Sequence, residues 1–245
     1  MTYCVGLYLR DGLVLLSDTR TNAGVDHIST FSKMQVEEVP GDRVLTLLSA
    51  GNLAISQAVW NRLQEGVALD GQIHTLRSIN TMFRAAQLVG AAVRAVFNTD
   101  GPAMQAQGVS FDTALILGGQ IAGQPSRLFL IYAAGNFIEA TEDTPFLQIG
   151  EHKYGKPILD RAVTYDTSLV DGVKLVLISM DSTLRSNLTV GMPVDLLVYR
   201  ENTLGVTLRK RLTEEEPYFR LVREGWSNSL RDAYRAMQTP DWVPG

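Results

Sequence analysis

Thr2 is the residue whose chemistry is most direct. Once Met1 is removed, a single residue carries both a hydroxyl nucleophile and a free α-amine. An amine with an ordinary pKa of about 7.7–8.0 can take the hydroxyl proton near neutral pH. A small second residue permits loss of the initiator methionine, but Thr at that place is also common in chains with no such chemistry. The other short motifs lead elsewhere or nowhere. Gly150 to Lys156 reads GEHKYGK and fits GxxxxGK, yet Pro157 stands where a phosphate-binding loop needs a Ser or Thr hydroxyl for Mg²⁺. No GxSxG occurs, which argues against a nucleophile-elbow serine hydrolase. His27, His74 and His152 lack metal-ligand spacing and Cys4 is the only cysteine, so no metal and no organic cofactor is expected. Cys4 is read as a small buried hydrophobe.

These residues need elements to position them. The segments TYCVGLYLR (2–10) and LVLLSDTR (13–20) read as strands joined by a hairpin at Asp11 and Gly12. Further strands are expected at 33–38 and 43–49, separated by Pro40 and Gly41. A helical period follows. Ile55, Val59 and Leu63 form one stripe, and Leu76, Ile79, Phe83, Ala86, Val93 and Phe97 a second. Strands return at 111–118, 127–133 and 137–140, then helices at 154–164 and 169–182. Strands near 194–199 and 204–211 precede a last helix over 217–236. Thr213 and Glu216 are spaced as its capping box, and Glu214 to Glu216 suit the positive end of its dipole.

Runs such as LVLLS and ALILG lack the polar alternation of a sheet with one wet face, so both faces should be covered. Four opening strands without a helix argue against a doubly wound fold. The expected class is α+β, a four-layer αββα sandwich of two antiparallel sheets flanked by helices, in a single domain over 1–245. A net charge of −4 with scattered Lys and Arg gives no footprint for nucleic acid or anionic membrane. Asp18, Asp112 and Asp181 interrupt the longest apolar runs, well short of the roughly 18 residues that span a bilayer. No basic, apolar leader precedes the first strand, and a cytoplasmic protein is expected.

The string SDTRTNAG (17–24), Lys33 nine residues later, and SAGN (49–52) together resemble the core of proteasome β subunits, which are N-terminal-nucleophile (Ntn) hydrolases. QIGEHKYGKPILDRA (148–162) and LISMDSTLRSNLTVG (177–191) are similar to the bacterial Anbu branch in particular. The resemblance spans nearly the whole chain. It implies Thr2 as nucleophile, Asp18 and Lys33 as its charged partners, and the Gly51 N–H as oxyanion donor. It further implies Asp181 with Ser186 or Ser182 as support, and Arg20, Asn22, Ser49 and Leu53 as substrate-lining residues. Asn22 replaces a Thr whose contact with bound peptide runs through the main chain. Glu151 stands after Gly150 where these β subunits carry a Ser. The implied activity is cleavage of peptide bonds by acyl transfer, in a homo-oligomeric ring or open spiral acting on a peptide or protein substrate with an ATPase or pathway partner.

Two other functions remain open on the same residues: a small-peptide amidase or acyl transferase, and a non-catalytic assembly subunit if Met1 stays. Individually, Asp18 and Lys33 also fit an ordinary ion pair, and Gly51 the start of a helix. An ideal turn at Asp11 and Gly12 pairs Asp18 with Val5 and Thr2 with Thr21, on opposite faces. The peptidase reading therefore predicts a bulge or a longer turn in this hairpin.

Overall fold

The computed structural model describes residues 2–23 and 27–242. Met1 and Gly24, which the sequence reading uses, lie outside them. In chain order the elements are β1 (Tyr3–Leu9), β2 (Gly12–Asp18), β3 (Arg20–Ala23), β4 (His27–Thr30), β5 (Met34–Val39), β6 (Arg43–Gly51), α1 (Leu53–Glu65), β7 (Val67–Leu69), β8 (Gln72–His74) and α2 (Met82–Ala106). They continue as β9 (Thr113–Ile121), β10 (Arg127–Ile131), β11 (Phe137–Glu139), β12 (Phe146–Gly150), α3 (Lys156–Ala162), α4 (Leu169–Ser186), β13 (Val194–Arg200), β14 (Leu208–Leu212) and α5 (Pro217–Arg235).

Two five-stranded antiparallel sheets form the centre, ordered β12-β1-β2-β13-β14 and β11-β10-β9-β6-β5. Side chains of a strand alternate between faces, and here both faces are apolar. In β1, Tyr3, Val5, Leu7 and Leu9 point outward onto Leu159 of α3, Val176, Leu177 and Met180 of α4 and Phe219 of α5. Cys4, Leu13, Leu15, Val44, Leu48, Ile116, Leu128, Leu197 and Tyr199 fill the space between the sheets. Leu45, Leu47, Leu115, Leu117 and Phe129 face the other way, onto α1 and α2. The expected four layers are the layers found.

Local chemistry sets several ends. Asn52 Oδ1 accepts from Ala54 N–H at 2.9 Å and caps α1, and Thr81 Oγ1 accepts from Arg84 N–H at 3.0 Å and caps α2. The second helical stripe begins too early as read from sequence. Leu76 and Ile79 are buried in the approach to α2, while Phe83 and Phe97 are largely exposed and rest edge-on against Phe137 and Phe111. The capping box at Thr213 is not formed. Pro217 starts α5 with its fixed φ, Glu216 makes no side-chain cap, and its carboxylate pairs with Lys210 at 2.9 Å. Three elements were not anticipated: the hairpins β3–β4 and β7–β8, and β12, the edge strand beside β1.

The two sheets close tightly because glycines let Leu128 in. A Cβ on Gly118 or Gly6 would stand 2.9 or 3.0 Å from Leu128 Cδ1. Leu128→Ala leaves a cavity walled by two backbones that cannot collapse. It should lower unfolding free energy by about 2–5 kcal/mol at unchanged m-value, measured by urea denaturation.

Candidate active site

Thr2 sits just ahead of β1, at the end of the sheet where the flanking strands also stop. Its carbonyl accepts from Glu151 N–H at 2.6 Å. The approach is so close that a Cβ on Gly150, whose φ is +82°, would lie 2.0 Å from that carbonyl oxygen. Tyr3 pins the start of the strand from the outer layer. Its hydroxyl donates to Ser179 Oγ at 2.5 Å, and Ser179 donates on to Gly155 O at 2.8 Å.

Asp18 ends β2 and is fully buried. Its Oδ1 accepts from Tyr3 N–H at 3.0 Å and Lys33 Nζ at 2.7 Å, and its Oδ2 from Arg20 N–H at 3.2 Å and Gly191 N–H at 3.4 Å. Lys33 is 4% exposed and also donates to Arg20 O at 2.7 Å. Burial pushes the Asp18 carboxyl above the usual carboxylate range, opposed by the Lys33 ammonium and by the Tyr3 and Gly191 N–H groups.

The hairpin geometry differs from both expectations. The ladder runs from Cys4↔Ser17 to Leu9↔Gly12, so Arg10 and Asp11 form the two-residue loop and no bulge interrupts the pairing. Asp18 falls opposite Tyr3. It needs no bulge, because the ladder ends there and its carboxylate turns along the sheet edge to the Tyr3 N–H and to Lys33.

Thr2, Lys33 and Gly51 line one cavity of about 870 Å³, together with Arg20, Asn22, Ser49 and Leu53. Gly51 closes β6 at φ +101°, with space for no side chain: a Cβ would lie 2.4 Å from Asp112 O. Arg20 Nη1 donates to Leu188 O at 2.9 Å and Asn22 Nδ2 to Thr189 O at 3.0 Å, so the stretch 188–191 holds these two lining side chains from behind.

No protein-family model matches the chain, and no curated protein does. Solved structures do. Anbu (a Gly-1 mutant) from Hyphomicrobium sp. strain MC1 is 51% identical with a TM-score of 0.90, covering 98% of this chain and 100% of that one. Anbu (ancestral β-subunit) from Yersinia bercovieri is 47% identical with a TM-score of 0.90, over the same shares of the two chains. The Anbu complex of Pseudomonas aeruginosa, described as a helical assembly, is 46% identical with a TM-score of 0.91, covering 99% and 100%. The chain belongs to the Anbu family.

This Anbu chain therefore has the proteasome-type Ntn fold. Two of its expected site residues lie apart from the cavity. Helix α4 runs on to Ser186, which keeps Asp181 inside it, where it accepts from Arg185 Nε at 2.9 Å and from Arg223 Nε of α5 at 2.7 Å. Ser186 is exposed at the last turn, and Ser182 is half-buried in the same helix. Glu151, noted from the sequence in the place of a Ser, is bonded to Thr2 through its backbone and is joined by Asn187, which the sequence reading did not assign to the site. Asn187 Nδ2 donates to Glu151 Oε2 at 2.7 Å, and its Oδ1 accepts from Thr189 N–H at 2.9 Å. The available signal was an Asn at the C-cap of a helix leading into the cavity wall. Gly150 to Lys156 forms no phosphate loop, since Lys156 is held by Asp160 on its own helix at 2.6 Å.

Burial alone would raise the Glu151 pKa. The Lys153 N–H, the Asn187 amide and the nearby Lys153 charge more than offset it and hold the group below its ordinary 4.5. A depressed carboxylate stabilises the fold above its ordinary pKa, and that contribution is lost as pH falls through the depressed value. The difference in urea midpoint between wild type and Glu151→Gln should thus shrink as pH drops below about 4.5. Asp18→Ala strands the Lys33 ammonium in a buried site and should cost about 3–5 kcal/mol by urea unfolding, whereas Asp18→Leu with Lys33→Met should cost less.

Proposed function

We propose that this protein is an N-terminal threonine hydrolase that cleaves peptide bonds by acyl transfer to Thr2. The observation that carries the reading is the Lys33 ammonium, fixed 2.7 Å from the buried Asp18 carboxylate and lining the same cavity as Thr2. A positive charge held there favours the developing alkoxide of Thr2. In the proposed sequence the Thr2 α-amine takes the hydroxyl proton, Oγ1 attacks the substrate carbonyl, and the Gly51 N–H donates to the oxyanion. The intermediate collapses with loss of the amine portion of the substrate, which receives the proton. Water then adds to the ester, with the α-amine again as base, and releases the acyl product and free Thr2. Arg20, Asn22, Ser49 and Leu53 would contact substrate.

Assembly is part of the proposal. The relative from Pseudomonas aeruginosa forms a helical assembly, and α5 leaves Leu230 and Tyr234, one turn apart on the same face, exposed for association to cover. We infer a homo-oligomer of ring or open-spiral form, acting on peptides or unfolded protein in the cytoplasm and supplied by an ATPase or pathway partner. No helix among the described residues is long and apolar enough to cross a membrane.

An electrophile that must react with both a hydroxyl and its neighbouring free amine tests the nucleophile. It should add one label per chain to protein whose intact mass shows loss of Met1, and none to Thr2→Ala. Equal labelling of the two would remove Thr2 from the mechanism. Hydrolysis of short peptides and amides without turnover of unfolded protein would replace the peptidase with a small-peptide amidase.

A further inference from the structure

Beyond Lys33 and Asp18, one charged residue is bonded to Thr2 through its backbone and has no part in the mechanism above. Tyr3 pairs with Gly150 across β1 and β12, and continuing that register by one residue sets Glu151 opposite Thr2. The 2.6 Å bond from Glu151 N–H to Thr2 O holds the two residues in that relation. Opposed residues of an antiparallel pair share a face, with Cβ atoms about 4.5–5.5 Å apart. Glu151 is 4% exposed and its carboxylate is fixed by two hydrogen bonds, so it is not free to swing into solvent.

Its hydrogen-bond donors are neutral, and the Lys153 and His152 charges act on it without forming an ion pair. Oε1 accepts from the Lys153 N–H at 2.8 Å and Oε2 from Asn187 Nδ2 at 2.7 Å. The other charges around Thr2 are already matched or turned away. Lys33 and Asp18 are paired with each other. The Arg20 guanidinium points along the wall to Leu188 O, Asp112 lies across the cavity behind Gly51, and the Lys153 and His152 side chains are exposed beyond the strand end. Glu151 is the buried anion left without an ionic partner among the described side chains, next to the one place in the site where a cation forms when Met1 is lost.

We propose that Glu151 is a positioning residue for Thr2, its carboxylate serving as the counter-charge of the Thr2 α-ammonium and thereby setting the pH at which that amine becomes a base. The proposal rests on the Thr2 reading for its functional meaning, though not for its electrostatics. An anion at this separation favours the protonated amine. The free-base form, which the acyl transfer requires, then accumulates only on the alkaline side of the ordinary range for a terminal amine. Activity should accordingly rise with pH through a limb displaced upward. The same carboxylate, clamped by Asn187 and so by the 187–191 stretch, holds the ammonium in line with Oγ1 until it deprotonates.

The test is a direct titration of the α-amine. Protein whose intact mass shows Thr2 at the terminus is trace-labelled with acetic anhydride across pH, and acetylation of the N-terminal peptide is read by mass spectrometry. Glu151→Gln should lower the amine pKa by about one unit, the low end of the roughly 1–3 units a close opposite charge produces. Glu151→Ser, which removes the charge with less demand on the Asn187 contact, should do the same, and Glu151→Asp should restore most of the wild-type value. A merely structural role would not move the pKa with charge in this way. An unshifted amine in both neutral variants overturns the proposal and leaves the Thr2 reading standing. A shifted amine in a protein that hydrolyses no peptide overturns the peptidase reading alone. Natural protein that still carries Met1 overturns both.

Discussion

A carboxylate with no water around it must be answered by donors from the chain, and Asp18 is answered from four places. Tyr3 at the start of β1, Arg20 at the start of β3, Lys33 ahead of β5 and Gly191 beyond α4 all converge on its two oxygens. Removing a charge from water costs several kcal/mol unless such donors are supplied. The fold therefore has one way to bring these segments together, and that way places the Lys33 ammonium in the same cavity as Thr2. The contact that the fold requires is also the one that the proposed mechanism uses.

The site lies where strands stop. Inside the ladders every N–H and C=O is committed to a neighbouring strand, and at their ends the backbone groups and side chains become available to a ligand. Thr2, Asp18, Gly51 and Gly150 are all at or next to such ends. Gly51 and Gly150 are glycines for a shared reason: each has positive φ, and each has a backbone oxygen where a Cβ would go. Close approach of backbone at these two points sets the width of the cavity and the seat of Thr2.

Much of the architecture was legible in advance because patterning is local. Both-face apolar strands, helical stripes and the turn residues between them gave two sheets and two helical layers. Failures occurred where local pattern is weak or misleading. Phe83 and Phe97 continue an apolar stripe, yet their rings lie on the surface against other aromatics, Phe137 of β11 and Phe111 in the segment ahead of β9. The β12 segment is five residues long and becomes a strand through pairing with β1. Asp181 was assigned to the site by the resemblance, yet in the folded chain it lies inside α4 and is held by Arg185 of the same helix and Arg223 of α5.

From the residues alone came the α+β class and the resemblance to Anbu, which in turn implied Asp18 and Lys33 as partners of Thr2, since periodicity and motif spacing are properties of the chain as a string. Tertiary structure alone decided that Glu151 and Asn187 meet: they are 36 residues apart and joined by one 2.7 Å hydrogen bond. Their contact depends on how β12 registers against β1 and where α4 ends relative to it, a relation between distant segments that no local pattern carries.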